Sequence, residues 1–543
     1  MLISGLSDQY LPLTALSAEV FEGPKTIGRP STRNGSETNM TQQRIRVLVD
    51  LSLALRGYSG IPQDTRLLFK TLAMCPEVEV TGLLYPSSSQ LRRHRFAPAA
   101  APRCDRLANQ AGFLWGLTEP RPPIGSRGMR IVHGICREVT ERTARRAATE
   151  MLDADNFRQV LWRTLFHQSL SAEDMSLIQR SKFLLMNASG ELMHRRVVAG
   201  REPLRVDTSG YDFLISQTAR PMKLSPGTRQ LVRYHDMIPV MQSDTTPHLR
   251  DIQWHHRSIR QSTEAIFVCN SDPTRDNLVD VYPELRDRSA TVPYMLSDAY
   301  CPERNPAMVN SIIRTRRSGL TGAQPRRPLR RTPRYILAVS TIEPRKNYPG
   351  LIQAFNAVRF RSSVARSVPN LKLVIVGGAG WKQEPILTAM RELVARGDII
   401  HLESVTSEEL RVLYTQAEAL VYPSHAEGFG FPPLEAMQCN LPVIASDLPE
   451  HRWVLGDAAI YCNSYDVNSI ADAIERLIAS EESSALKREL IARGRRRIER
   501  YTLERCREQW LELLQRLHAG QPPLADEAPA TTRFVRGPME RAA

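Results

Sequence analysis

Residues 423–437 read PSHAEGFGFPPLEAM, and the interpretation of this stretch decides the fold. It follows the apolar run ALVY at 419–422, which has the length and composition of a short buried strand. Two glutamates, Glu427 and Glu435, stand eight positions apart, with Gly428-Phe429-Gly430-Phe431 and two prolines between them. Glycine lets a backbone turn tightly and come close to a ligand. Pro433 suits a helix start, because the N–H it lacks would have had no partner there. Free N–H groups at such a loop and helix start suit a phosphate. Glu435 is then expected in the helix's first turn, facing the same crevice as Glu427. A carboxylate accepts from two sugar hydroxyls at once. The stretch therefore reads as a pocket for a sugar and a phosphate. The plainer alternative is a strand–loop–helix in which Glu435 only complements the helix dipole.

Upstream, Tyr335–Val339 (YILAV) reads as another buried strand and runs into the loop STIEPRKN at 340–347. A diphosphate needs its charge neutralised; Arg345 can do so bidentately and Lys346 as a point charge. A surface charge pair is the default for such a dipeptide, but its place after a buried strand, in the same half as the two glutamates, favours a phosphate role. Further strands are expected at 371–376, 399–402 and 442–446, and amphipathic helices at 466–480 and 483–515. This alternation calls for a parallel sheet with helices on both faces. GGAG at 377–380 is not the G-x-G-x-x-G with a paired acid that marks a dinucleotide site.

In the first half, Ile45–Asp50 (IRVLVD) reads as a buried strand, followed by a loop and a helix with apolar residues at Leu67, Leu68, Leu72 and Ala73. Gly57, Ser59 and Gly60 lie on that loop, at the strand end where open α/β sheets bind ligands. A plain glycine turn accounts for the same residues. Strands are also expected at 79–85 and 263–270; after the latter, Ser271 can cap a helix. QLVRYHDMIPV at 230–240 places His235 and Asp236 at a strand's end. A histidine there can donate to a sugar hydroxyl, with Asp236 orienting it or binding an acceptor, although a lone histidine is more often structural. Asp153 and Asp155 form a D-x-D within MLDADNFRQVLWRTLF, which reads as a solvated helix face and not as a metal site.

The 543 residues, 42% hydrophobic and 24% charged, allow two or three domains with a sizeable core. A net charge of +14 points to an anionic partner: nucleic acid, an acidic membrane face or a phosphorylated substrate. The eight cysteines are scattered without metal-ligand or disulfide-framework spacing, which suggests a reducing cytosol. No apolar run approaches the ~18 residues of a spanning helix, and the first residues make a poor signal peptide. The arginines of 305–333 suit a hinge or an anionic-lipid contact. They lack the aromatic partners on which a single-stranded nucleic acid would stack. Residues 91–146 are basic and declare no element.

The E-x7-E pair with GFG inside, entered by YPS and left by PPLEAM, resembles the donor-sugar motif of the family 4 (group 1) glycosyltransferases. EPRKN at 343–347, HDMIP at 235–239 and the SDPTRDNL segment at 271–278 resemble further motifs of that family. The specific likeness covers 335–477, with a looser one over 44–294, and runs towards the bacterial O-antigen and exopolysaccharide mannosyltransferases. It implies a retaining enzyme of the GT-B fold: two Rossmann-like domains with parallel sheets facing a central cleft. The expected organisation is an irregular extension at 1–43, an acceptor-side domain at 44–304 and a basic linker at 305–333. A donor-binding domain at 334–497, a helix crossing back at 498–518 and a disordered tail at 519–543 follow. By the same resemblance Glu427, His235, Arg345 and Lys346 are catalytic. Glu435, Gly428, Phe429, Gly430, Val405 and Gly60 bind the donor, and Asp236, Gly57 and Ser59 border the acceptor. Asn277 departs from the family, standing where an acid is usual. The expected donor is a GDP-sugar or UDP-sugar, with no metal and no cofactor. The expected acceptor is a saccharide or lipid-linked saccharide, reached in the cytoplasm with peripheral contact to an anionic inner membrane. Two other readings stay open: a GT-B epimerase or glycogen-type elongating enzyme, and a basic nucleic-acid-binding protein, whose partner is not expected here.

Overall fold

The computed structural model describes residues 44–55, 57, 60–86, 96–98, 100–118, 145–242, 249–323, 331–479 and 482–523. Ser59, the 1–43 extension, most of 91–146, the arginine-rich 324–330 and the tail beyond 523 lie outside them.

Ile45–Asp50 alternates with nothing: Val47, Leu48 and Val49 are all buried, so both of its faces need cover. A parallel sheet between helix layers supplies that cover. The strand lies within an eight-stranded sheet ordered Ser289–Thr291, Ile266–Cys269, Arg229–Tyr234, Phe213–Ser216, Ile45–Asp50, Val78–Leu84, Lys182–Met186 and Thr149–Met151. All pairings are parallel except the last, at the edge. The second lobe repeats the plan with six parallel strands: Ile399–Leu402, Lys372–Val376, Tyr335–Val339, Leu420–Tyr422, Val443–Ser446 and Ala459–Cys462. Two lobes on parallel sheets make the expected GT-B architecture. Because Tyr335–Val339 and Leu420–Tyr422 are neighbours, the RK loop and the two-glutamate loop leave the sheet side by side.

Three expectations need correction. The stretch 305–333 is not a plain linker. Its helix Pro306–Thr315 buries Val309, Ile312 and Ile313 in the second lobe's core. The Ser318 N–H then donates to the His401 carbonyl at that sheet's edge. The exposed Arg314 and the arginines that follow the helix masked its apolar spacing; Arg316, just past the helix, lies 2.8 Å from Glu409. The helix expected over 483–515 is two, Ser483–Ile498 and Leu503–His518, because the Thr502 hydroxyl caps a fresh start by accepting from the Arg505 N–H. The second carries Cys506, Trp510, Leu513, Leu514 and Leu517 into the first lobe's core. The helix expected around Asp153 begins only at Arg158, after a short 3-10 turn at Ala154–Asn156. Asp153 pairs with Arg103 and Asp155 with Arg158. No helix among the described residues is long and apolar enough to cross a membrane.

Candidate active site

At the carboxyl edge of the second sheet, the 3-10 turn Pro344–Lys346 lies against the loop after Tyr422. The His425 N–H donates to the Arg345 carbonyl at 2.7 Å and ties the two loops. Glu427 is only 7% exposed. Its Oε1 lies 2.5 Å from Lys346 Nζ and its Oε2 3.1 Å from Arg345 Nη1. Lys346 also donates to the Tyr422 hydroxyl at 3.1 Å, and Arg345 Nη1 to the Ala426 carbonyl at 3.2 Å. Burial pushes the Glu427 carboxyl up, but Lys346 and then Arg345 outweigh it and hold it well below the usual range. Charges this deep are tolerated because each is paired and hydrogen-bonded.

Gly430 has φ 91, a left-handed value that suits glycine, and it turns the chain into the helix Phe431–Gln438. That helix opens two residues earlier than Pro433, so Glu435 falls in its second turn and not its first. Glu435 is 1% exposed. It accepts from the Tyr414 hydroxyl at 3.0 Å and, from the other lobe, Gln63 Nε2 at 3.3 Å. Burial drives its pKa up to about 7 despite those two donors and the Tyr300 hydroxyl. The two glutamates are therefore electrostatic opposites: one a fixed carboxylate, one poised between acid and carboxylate at neutral pH.

The first lobe reaches this loop at Gly428. A Cβ there would lie 2.2 Å from the His235 carbonyl oxygen and 2.8 Å from Asp236 Cβ, so only glycine allows the approach. The Gly428 carbonyl accepts from the Ser271 and Thr274 hydroxyls at 3.3 and 3.2 Å. Asp236, half-buried beside it, is pushed up by burial, with Arg345 pulling the other way. The structure thus gathers Glu427, Arg345, Lys346, Asp236 and Gly428.

His235 does not join them through its ring. Its Nδ1 faces the Tyr294 hydroxyl at 2.5 Å and its Nε2 the Gln217 carbonyl at 2.8 Å. Burial, then Arg233, lowers its pKa to about 3, so the ring is neutral, donates to Gln217 and accepts from Tyr294. Neither nitrogen is left for a sugar hydroxyl in this conformation, which corrects the expected contact. Phe429 is likewise buried among rings, 4.7 Å from Tyr294 and 5.6 Å from Tyr501, so its side chain is core. Val405 is buried in the same cluster as Tyr414. Gly60 precedes the helix Ile61–Ala73, and the Gly57 carbonyl accepts from Arg66 at 2.8 Å.

Residues that sequence reasoning passed over complete the cleft. Gln63 is one; another is Glu450, half-buried, to which Asn277 donates across the lobes at 3.2 Å. Burial raises the Glu450 pKa to about 7. An acid at position 277 would face this carboxyl, whereas the Asn277 amide donates to it. Glu450 closes the tripeptide Leu448-Pro449-Glu450, and nothing local marks its partner.

A pH dependence follows from Glu435. Its folded pKa, about 7, lies above the ordinary 4.5. Its favourable contribution is therefore complete below about pH 4.5 and is lost as pH rises through 7. Between pH 5 and 8 that loss is roughly 2 kcal/mol. Glu427, shifted the other way, contributes no trend in this window. Chemical denaturation at pH 5 and 8 should show the wild type losing this increment relative to Glu435→Gln; equal slopes for the two proteins would contradict the burial argument.

Residues 323–497 match the family described as glycosyl transferases group 1. Over 283 residues the chain is 27% identical to O-antigen chain mannosyltransferase B of Escherichia coli, covering 52% of this chain and 68% of that one. Over 143 residues it is 37% identical to O-antigen chain mannosyltransferase RfbU of Salmonella typhimurium, covering 26% of this chain and 38% of that one. Among solved structures, sucrose-phosphate synthase from Thermosynechococcus elongatus shares the fold, with a TM-score of 0.54 and 15% identity over 88% of this chain and all of that one. The second lobe thus carries the match to the group 1 glycosyl transferases, the two-lobed fold is shared with a sucrose-phosphate synthase, and the similar proteins named here are O-antigen mannosyltransferases.

Proposed function

We propose that the chain transfers a hexosyl group, mannose first among them, from a GDP- or UDP-sugar to a saccharide or lipid-linked acceptor. Transfer proceeds with retention, in the assembly of a bacterial surface polysaccharide such as lipopolysaccharide. The observation that carries the reading is the buried trio Arg345, Lys346 and Glu427, two cations and a carboxylate on adjoining loops at a strand edge. The similar E. coli and Salmonella proteins, named as mannosyltransferases, support the choice of sugar.

An arriving diphosphate competes for the two cations. As they turn to it, Glu427 is released to accept hydroxyls of the transferred sugar. Glu435 accepts ribose hydroxyls in place of Tyr414 and Gln63, while the Val405 backbone meets the base. As the sugar–phosphate bond breaks, charge grows on the leaving diphosphate. Arg345, Lys346 and the amides at 428–430 are positioned where it grows. The acceptor attacks on the same face, its proton taken by the departing phosphate. Asp236, facing this point from the first lobe, orients the acceptor. The cations carry the neutralising charge, so turnover needs no metal or cofactor. Work of this kind fits the cytoplasmic side of the inner membrane, with the basic surface in peripheral contact.

The test is donor turnover by purified protein across GDP- and UDP-sugars in EDTA, beside Arg345→Ala. Release of one nucleoside diphosphate that persists in EDTA and drops at least 10²-fold in the variant is the expected result. If no nucleotide sugar turns over or raises the melting temperature, the reading fails.

A further inference from the structure

Phe213–Ser216, Ile45–Asp50 and Val78–Leu84 are consecutive strands of the first sheet, and their carboxyl ends carry a polar cluster that the donor chemistry leaves unused. Asp50, 1% exposed, accepts from the Tyr85 hydroxyl at 2.5 Å and from the Ser52 N–H at 2.8 Å. Arg220 Nη1 donates to the same hydroxyl at 2.5 Å, which draws the loop at 217–220 towards Tyr85. On that loop Gln217 is fully buried, and Ser52, just past the strand Ile45–Asp50, is nearly so. Both amide atoms of Gln217 and the hydroxyl of Thr218 are buried without a hydrogen-bond partner among the described residues, and the buried Ser52 hydroxyl has the Tyr85 hydroxyl beside it. Folded chains seldom leave such groups unmade, so a run of them at one strand edge calls for a ligand or water. The cluster also adjoins the donor loop. The Gln217 carbonyl is bound by His235, whose own carbonyl lies against Gly428.

We propose that Gln217, Thr218 and Ser52 form a saccharide subsite for the acceptor, held in shape by Asp50, Tyr85 and Arg220. This rests on the glycosyl-transfer reading above. An amide brings two donors and an acceptor, and each hydroxyl brings both roles. Neighbouring hydroxyls of a pyranose ring match that mixed set. An anion does not: it wants donors alone, and the Asp50 carboxylate stands beside the site. Entry requires the lobes to part at the Gly428 contact, as domain motions around substrates do.

Gln217→Leu and Thr218→Val keep bulk and remove only unpaired polar atoms. They should leave the melting temperature equal to or above that of the wild type, whereas a structural role would lower it. The experiment is calorimetric titration of the full chain, saturated with GDP or UDP, with methyl glycosides of mannose, glucose, galactose, rhamnose and N-acetylglucosamine. The wild type should bind at least one. Both variants should lose at least tenfold in that affinity with nucleotide affinity unchanged. Undiminished glycoside binding in the variants overturns the subsite, and so does displacement of the glycoside by millimolar inorganic phosphate. A wild type that binds nucleotide but no glycoside overturns the subsite alone. A wild type that binds no nucleotide overturns the donor reading and the subsite with it.

Discussion

Glu427→Ala lowers sugar transfer by about 10²–10³-fold, the usual cost of removing one group aimed at a transition state. The same change destabilises the fold by about 3–5 kcal/mol, because it leaves two buried cations without their anion. Lys346 loses its contact at 2.5 Å, and Arg345 is left with Glu343, 2.6 Å from its Nε, and the Ala426 carbonyl. These two losses predict a third result. Pyrophosphate should stabilise the variant more than the wild type, since the anion then meets cations that no carboxylate already holds. A ligand at 100 times its dissociation constant adds about 2.7 kcal/mol, enough to read in a denaturation curve. Glu427→Gln separates charge from shape and should behave as the alanine variant does. Undiminished turnover would remove Glu427 from the chemistry. A pyrophosphate effect no larger than in the wild type would mean that the cations are not freed.

Arg233→Leu has its effect away from the reacting atoms and costs about 3–5 kcal/mol. Arg233 and Asp64 are both fully buried, with Nε and Nη2 each 3.1 Å from a carboxylate oxygen. The guanidinium also donates to the Val292 and Pro293 carbonyls at 2.5 and 3.1 Å. It lies over the rings of Tyr294 and Trp510. Burial pushes the Asp64 carboxyl up even with Arg233 beside it, so without Arg233 the group has no route to a stable charge. Removing both partners should cost less than removing one, and Asp64→Leu with Arg233→Leu recovers part of the loss in urea denaturation. A double variant no more stable than Arg233→Leu would refute the pair as the cause. The loss should also be felt at the donor. Tyr294 stacks on Phe431, with centroids 4.8 Å apart and planes 2° from parallel, so a looser Tyr294 should raise the KM for the nucleotide sugar.

The strands at 45–50, 335–339 and 399–402 were legible because a short apolar run between turn residues has few uses other than a buried strand. Lys182–Met186 and Phe213–Ser216 are equally apolar, yet no flanking motif distinguished them from pieces of buried helix. The helix Pro306–Thr315 was hidden by Arg314 and the arginines that follow it, whose charge reads as solvent exposure while Ile312 and Ile313 face the core. At the site, the sequence by itself determined the chemistry on offer: two carboxylates and two cations on loops that a parallel sheet must bring to one edge. Tertiary structure alone decided who meets whom. Gln63 and Glu435 lie 372 positions apart, and Asn277 and Glu450 173, distances over which no local pattern carries information. His235 shows the division within one residue. Its imidazole could be read as a donor to a sugar, but the positions of Tyr294 and Gln217 assign both nitrogens, because a buried polar atom pairs with whatever the fold sets beside it.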